Sequence, residues 1–306
     1  VRSYGVPEKY INIFKSLYRK STCCVKTKNG NTIMFDILTG VRQGCILSPF
    51  LFLLVIDFIM KKAIKDRALG IGWNRDRLAD LDFADDIALV SNTHSGLQEM
   101  TKDLGEHGGK VGLRISCEKT KCMSIGDHQH QPIFVCQNSI EYVENFQYLG
   151  SSISKTGDAE IDVKARIGKA AAVFERLKPI WKSGTIRNDM KLRLYQSIVL
   201  PTTIYAGETW KNTAAISNKL DVFHRRCLRT ILGILERPRH ERRADEESRN
   251  GGPQGYINNE RRQKFAGHVT RLPKECPAKV AMRWTPTGGK RKRGRLEITW
   301  RKTFPR

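Results

Sequence analysis

The chain has 306 residues, enough to bury a sizeable core and to form two or three structural units. It carries 54 Lys and Arg against 31 Asp and Glu, a net charge of +23 that favours polyanionic partners such as nucleic acid. No apolar run reaches the roughly 18 residues of a membrane span, the start has no secretory pattern, and the eight cysteines are expected to be reduced thiols rather than a disulfide framework.

Pro7 opens a helix over Glu8–Arg19, where Tyr10, Ile11, Phe14, Leu17 and Tyr18 recur at helical spacing. Asn29-Gly30 is a hairpin turn signal with Thr32–Leu38 as the second arm. Ser48-Pro49 is a cap-and-first-turn pair before a helix over Phe50–Lys65, whose apolar run Phe50–Ile56 is too short before Asp57 to cross a bilayer. Two short strands, Leu78–Leu81 and Ile87–Val90, flank Asp82-Phe83-Ala84-Asp85-Asp86 and put the acids at a hairpin turn. A helix over Ser95–Lys110 and strands near Leu113–Ile125 and Ile133–Leu149 complete an α+β layer.

Beyond it the pattern turns helical, over Ala159–Trp181, Asn188–Glu208 and Ala214–Leu232, with Gly233 ending the third helix. Ile161, Ala165, Ile167, Ala171 and Phe174 form the expected buried side of the first, while Lys164, Arg166 and Lys169 face phosphate or solvent. Arg239–Gly255, polar and with Gly251-Gly252-Pro253, reads as a linker. Residues 237–306 hold 20 Lys or Arg and 7 Asp or Glu, more than half the excess charge, and suit phosphate gripped without sequence readout. The run Lys290–Arg293 equally fits a nuclear-localisation patch or a solvated tail. Trp284 and Trp300 around it anchor a small fold or stack on bases.

Strand interiors disfavour Asp, so carboxylates at a hairpin tip point to a cation held there. Two divalent metals about 3.5–4 Å apart, one activating a hydroxyl and one stabilising a leaving phosphate oxygen, need such hard oxygen ligands. An isolated Asp-Asp is more often a solvated turn, since Asp hydrogen-bonds its own backbone there. A second cluster, Cys117, Cys122, His128, His130 and Cys136, offers zinc-type ligands but matches no standard finger spacing. A zinc-dependent interaction module built on it is the weakest of three functional readings. His224 and His268 read as packing or phosphate-contacting residues rather than catalysts.

Neighbouring segments decide for the metals. Thr39-Gly40-Val41-Arg42-Gln43-Gly44-Cys45-Ile46-Leu47-Ser48-Pro49 precedes Phe83-Ala84-Asp85-Asp86, and Gly112-Leu113-Arg114-Ile115-Ser116-Cys117-Glu118-Lys119-Thr120-Lys121 and Phe146-Gln147-Tyr148-Leu149-Gly150 follow it. In this order they resemble motifs B, C, D and E of a reverse transcriptase palm. Their form resembles the non-LTR (LINE-type) retrotransposon branch, near its RTE-like members. Segments Phe223–Ile234, Phe265–Pro273 and Gly289–Arg295 are similar to that family's post-palm region.

The resemblance implies an α+β fold: a right-hand polymerase palm with incomplete fingers (1–154), a helical thumb-like bundle (155–236) and a basic C-terminal region (237–306). It implies an RNA-directed DNA polymerase that extends a DNA 3′ end on an RNA template by two-metal nucleotidyl transfer. The cofactor would be Mg2+ or Mn2+, the substrates dNTPs, and the partners an RNA template and a DNA primer or target, with no membrane. The setting would be intracellular, and nuclear for an active element. Asp85 would be a metal ligand, with Asp86 a second or structural carboxylate.

Gln43 and Gly44 would form the loop beside the incoming nucleotide, Gly allowing close backbone approach. The same residues also read as a plain helix-entry loop. Lys119 would protonate or stabilise departing pyrophosphate, and an ordinary surface lysine explains it equally. Tyr148, Leu149 and Gly150 would belong to the primer grip, or to an aromatic strand packing on the core. Lys290, Arg291, Lys292, Arg293 and Arg295 would hold nucleic acid. Ser116 departs from the family, which often has Asn there.

The motif A aspartate is missing: Val1–Thr22 contains no Asp, and Asp36 sits between motifs A and B. The start at Val rather than Met reads as a piece cut from a longer frame. The chain alone is therefore expected to be inactive, and the alternative is a non-enzymatic nucleic-acid-binding relic.

Overall fold

The computed structural model describes residues 1–37, 40–64, 69–73, 76–125, 131–211, 213–233 and 253–283. The chain divides into two compact units, one of Val1–Cys122 with Gln131–Glu141, the other holding the chain from Tyr142 on.

In the first unit α1 (Glu8–Tyr18) starts behind Pro7 and buries Ile11. Strand β1 (Thr22–Cys23) pairs with β4 (Phe35–Asp36), enclosing the hairpin of β2 (Lys26–Thr27) and β3 (Gly30–Asn31). Its tip is Lys28-Asn29, one residue before the Asn-Gly signal. Gly30, at φ 115°, already begins the return strand, and its carbonyl accepts the Thr27 hydroxyl at 2.7 Å.

Helix α2 spans Leu47–Ala63 and starts ahead of the expected Phe50. Pro49 fits its first turn, where no backbone N–H is needed. Ser48 does not cap the helix. Its buried hydroxyl donates to the Arg42 carbonyl at 2.7 Å and lies 3.1 Å from the Tyr18 hydroxyl.

Two hairpins follow, β5 (Ile71–Trp73) with β6 (Asp76–Leu78) and β7 (Asp80–Phe83) with β8 (Asp86–Leu89). Then comes α3 (His94–Lys110), capped by Thr93, whose hydroxyl oxygen accepts the Gly96 N–H at 3.2 Å. Ile56, Met60 and Ala63 of α2, Met100 of α3 and Ala79 form the core, with Ile87 and Leu89 of β8 packed against it. The expected strand over Leu113–Ile125 is reduced to β9 (Lys121–Cys122). The Lys119 and Thr120 amides and the Thr120 hydroxyl all donate to the Ser116 carbonyl, which folds this stretch into a turn instead of a ladder. Gln98 of α3 exchanges two hydrogen bonds with the Phe134 backbone (2.7 and 2.9 Å) and anchors β10 (Phe134–Val135), paired with β11 (Asn138–Ser139). A short β12 is Glu141–Tyr142.

The second unit begins with the hairpin β13 (Asn145–Tyr148) and β14 (Ser151–Ser154) and is otherwise helical. The expected helix 159–181 is broken into α4 (Glu160–Arg176) and α5 (Lys178–Lys182), because Pro179 has no N–H to continue the ladder. The next expected helix, 188–208, is α6 (Asn188–Leu194), a wide π turn over Tyr195–Val199, and α7 (Leu200–Thr203). The Pro201 ring would clash with the carbonyl four residues back, and the wide turn makes room for it.

Helix α8 (Ala214–Leu232) has the expected limits, with Thr213 as cap and Gly233 left-handed at φ 71°. Helices α9 (Pro253–Tyr256), α10 (Gln263–Arg271) and α11 (Pro277–Arg283) follow. The core gathers Val163, Ala170 and Phe174 of α4 with Trp181, Tyr195, Val199, Trp210 and the Ile216, Leu220, Phe223, Cys227 and Ile231 stripe of α8. The buried side of α4 matches the expected one in part: Phe174 is buried and Ile167 and Ala171 pack against the core, but Ile161 and Ala165 are exposed, while Asp162 and Arg166 are buried. His224 is a core residue whose Nδ1 lies 2.8 Å from the Tyr195 hydroxyl, and burial lowers its pKa to about 4, so it is neutral at pH 7.

Candidate active site

Gln43 and Gly44 lie exposed on the loop before α2. Gly44 has φ 82°, and a Cβ there would meet nothing within 4 Å, so backbone conformation and not crowding requires glycine. Ser48 and Arg42 brace this loop. The Arg42 carbonyl takes the Ser48 hydroxyl, and its guanidinium donates to Ser21 Oγ at 2.8 Å and sits 5.8 Å from the Tyr18 ring centroid.

The acidic hairpin is longer at its acid end than the apolar arms indicated. Phe83 pairs with Asp86, so Asp82 and Asp86 belong to the strands and only Ala84-Asp85 form the tip. Ala84 is left-handed at φ 56°, a strain of about 1–2 kcal/mol for a residue with a Cβ. Such strain persists where the surroundings dictate the turn.

Cross-strand partners share a face, so the pairings Asp80 with Leu89 and Asp82 with Ile87 put both acids on the side where Ile87 and Leu89 meet the helix core. There the Asp82 carboxyl, although the residue stays exposed to solvent on one side, is pushed up to about 6, by partial loss of water first, then by Asp80 and by Asp57 of α2. Asp57 itself accepts from Lys61 at 2.6 Å and Tyr4 at 2.5 Å and is held below the usual carboxylate range, mainly by Lys61.

Because folding raises the Asp82 pKa, the folded chain binds more protons than the unfolded one between about 4 and 6, and stability falls as pH rises through that window. Asp82→Asn is expected to leave stability at about pH 3.5, below the window, nearly unchanged. At pH 7.5 it should add up to about 1 kcal/mol after allowance for solvent screening, as read by urea denaturation at the two pH values.

Asp85 and Asp86 are both exposed, and neither makes an ion pair or side-chain hydrogen bond with another described residue. Two uncompensated carboxylates on a fixed tip suit a hard divalent cation. They fit part of a two-metal cage: among the described residues, no three His, Cys, Asp or Glu side chains gather to hold a metal. Cys117 is half-buried, Cys122 buried and Cys136 exposed, while His128 and His130 of the zinc-type cluster lie outside the described residues. Lys119 is exposed on the Ser116–Thr120 turn.

Tyr148, Leu149 and Gly150 lie in the second unit, at the tip of β13–β14. Tyr148 pairs with Ser151, and Leu149 (φ 47°) and Gly150 (φ 80°) are both left-handed, as a type I′ turn requires. Arg166, expected to face phosphate or solvent, instead donates to the Gly150 carbonyl from its buried place on α4. Asp162, Arg166, Tyr205 and Trp210 were not legible as a group. Only the i, i+4 spacing of Asp162 and Arg166 hinted at it. Lys290, Arg291, Lys292, Arg293 and Arg295, with Trp284 and Trp300, lie outside the described residues.

Among the described residues, no helix is long and apolar enough to cross a membrane. All eight cysteines are free.

A family model described as reverse transcriptase (RNA-dependent DNA polymerase) matches residues 1–153, half of the chain. An uncharacterized transposon-derived protein of Caenorhabditis elegans is 28% identical over 236 residues, 74% of this chain and 84% of that protein. The retrovirus-related Pol polyprotein from type-2 retrotransposable element R2DM of Drosophila melanogaster is 24% identical over 213 residues, 65% of this chain and 20% of the polyprotein. The Pol polyprotein from type-1 retrotransposable element R2 of Nasonia vitripennis is 22% identical over 215 residues, 66% and 21% respectively. The chain thus spans about a fifth of the length of these two R2 polyproteins.

Proposed function

The chain belongs to the reverse transcriptase family, in its non-LTR retrotransposon branch, and from that premise we propose that it is the palm and thumb portion of an RNA-directed DNA polymerase. The family works with divalent metal ions, nucleic-acid templates and nucleotide substrates. In this reading residues 1–154 serve as palm, 155–236 as thumb and 237–306 as a basic region that holds phosphate. An active element of this kind would copy its RNA onto nuclear DNA.

The observation that carries the reading is the hairpin tip. It holds Asp85 in a strained turn, exposed and without a described cation beside it. Asp85, with Asp86 beside it, would hold Mg2+ or Mn2+, which supplies Lewis-acid activation of the primer hydroxyl and of the departing oxygen. The primer 3′ hydroxyl would lose its proton to solvent as its oxygen forms a bond to the α-phosphorus, the bond from that phosphorus to the bridging oxygen breaks, and pyrophosphate leaves. Lys119 would give that leaving group a proton or a positive charge. The Gln43-Gly44 loop, braced by Ser48 and Arg42, would border the incoming dNTP. Tyr148, Leu149 and Gly150 would hold the primer strand.

A further Asp carboxylate would complete a two-metal cage, and Val1–Thr22 contains no Asp. The chain alone would therefore be inactive on poly(rA)/oligo(dT) with Mg2+, and joining it to upstream coding sequence would bring extension. The alternative, a nucleic-acid-binding relic, is favoured by the partial ligand set. It is the outcome if neither form extends the primer while both bind it.

A further inference from the structure

The Leu149-Gly150 turn is held from outside its own hairpin. The Tyr205 hydroxyl donates to the Leu149 carbonyl at 3.2 Å, and the Arg166 guanidinium donates to the Gly150 carbonyl. Arg166 also lies 4.2 Å from the centroid of the Tyr205 ring, so the two holding groups fix each other. Behind them Asp162 pairs with Arg166 at 3.7 Å and accepts the Trp210 indole N–H at 2.9 Å. It also accepts the backbone N–H of Ser152, on the return strand, at 2.9 Å. A Cβ at Gly150 would stand in ordinary contact, 3.7 Å from the Tyr205 ring and 3.8 Å from Arg166, so both groups lie against the turn, and its φ of 80° rather than crowding favours glycine.

A hairpin that needed only to pack would not call for this. Asn-Gly makes a type I′ turn without outside donors, whereas here a leucine is kept left-handed with its side chain 40% exposed. A buried guanidinium is also a poor means of stabilising a core, since an apolar residue of like volume often does as well. The arrangement fixes the direction of an exposed apolar tip.

We propose that Arg166 and Tyr205 are positioning residues for the primer 3′ end, fixing the Leu149-Gly150 turn so that it presents one rigid surface to the terminal primer nucleotide. This rests on Tyr148–Gly150 being the primer grip. The gain is one of preorganisation: a tip already in its bound form loses no conformational freedom when the primer docks.

The test measures binding of the full chain, by fluorescence anisotropy, to an RNA/DNA duplex with a recessed DNA 3′ end and to a blunt duplex of equal length. The wild type is expected to prefer the recessed end about tenfold, and Tyr205→Phe and Arg166→Lys to shrink the preference to about twofold with blunt-duplex affinity unchanged. Tyr205→Phe keeps the ring over Arg166, so it carries the test if Arg166→Lys lowers the unfolding temperature. Tyr205→Phe is expected to keep the wild-type unfolding temperature, so that a preference lost at unchanged blunt-duplex affinity reports the missing hydroxyl bond to Leu149 and not a general loosening of the fold. A wild type without preference overturns the primer-grip reading and this inference with it. A wild-type preference kept by Tyr205→Phe overturns the positioning role alone.

Discussion

Asp85→Ala is expected to abolish primer extension by the chain joined to its upstream sequence, a loss of at least about a thousandfold, because a two-metal site would have no substitute for a missing ligand carboxylate. Asp85 stands at the tip of the β7–β8 hairpin, exposed, beside a residue strained at φ 56°. Truncation removes no described hydrogen bond or ion pair, so the unfolding temperature should stay at the wild-type value. Loss of activity without loss of fold separates a ligand from a structural turn residue. Asp86→Ala, one residue into β8, should cost less if it is a supporting carboxylate. Asp82→Asn should leave extension within about tenfold, since Asp82 lies on the face turned to the helix core. Single-turnover extension under saturating dNTP reads all three.

The second large effect is on stability. Asp162→Ala is expected to destabilise the second unit by about 3–5 kcal/mol, the usual result of leaving one half of a buried ion pair behind. Asp162 and Arg166 are both almost wholly buried, and the same carboxylate satisfies the Trp210 indole and the Ser152 amide. Removal would strand a guanidinium and two N–H donors away from water. Asp162→Asn keeps an acceptor and should cost less. The double variant Asp162→Ala with Arg166→Met should cost less than the sum of the single changes, because the stranded charge goes with its partner. Urea denaturation followed by the fluorescence of the buried Trp181 and Trp210 measures this.

The parts of the fold visible in the sequence were those where one face is plainly apolar and the ends carry their own stop signals. Helix α8 is the clearest case: Thr213 caps it, Gly233 closes it, and Ile216, Leu220, Phe223, Cys227 and Ile231 mark its buried stripe. The acidic hairpin was legible too, although its arms were placed short because Asp82 and Asp86 look like turn residues and yet sit in strands.

Helix α4 was legible only in part, at Ile167, Ala171 and Phe174. Its core-facing side carries Asp162 and Arg166, which neutralise each other, so a rule that looks for apolar residues selects Ile161 and Ala165 on the wrong side. The π turn before Pro201 and the break at Pro179 show proline acting after hydrophobic spacing has suggested one continuous helix. Among candidate site residues, Gln43, Gly44, Asp85, Asp86, Lys119 and Tyr148–Gly150 were singled out through ordered motifs, as expectations. Arg166 and Tyr205 belong to no such motif, and act through contacts with chain 16 and 56 residues away.

The most direct measurement is anomalous scattering from Mn2+ in crystals of the chain joined to upstream sequence, with RNA/DNA duplex and a non-hydrolysable dNTP bound. The account predicts a manganese peak within bonding distance of an Asp85 carboxylate oxygen, absent from Asp85→Asn crystals. A manganese ion bound to the dNTP phosphates with Asp85 turned to bulk solvent would contradict it.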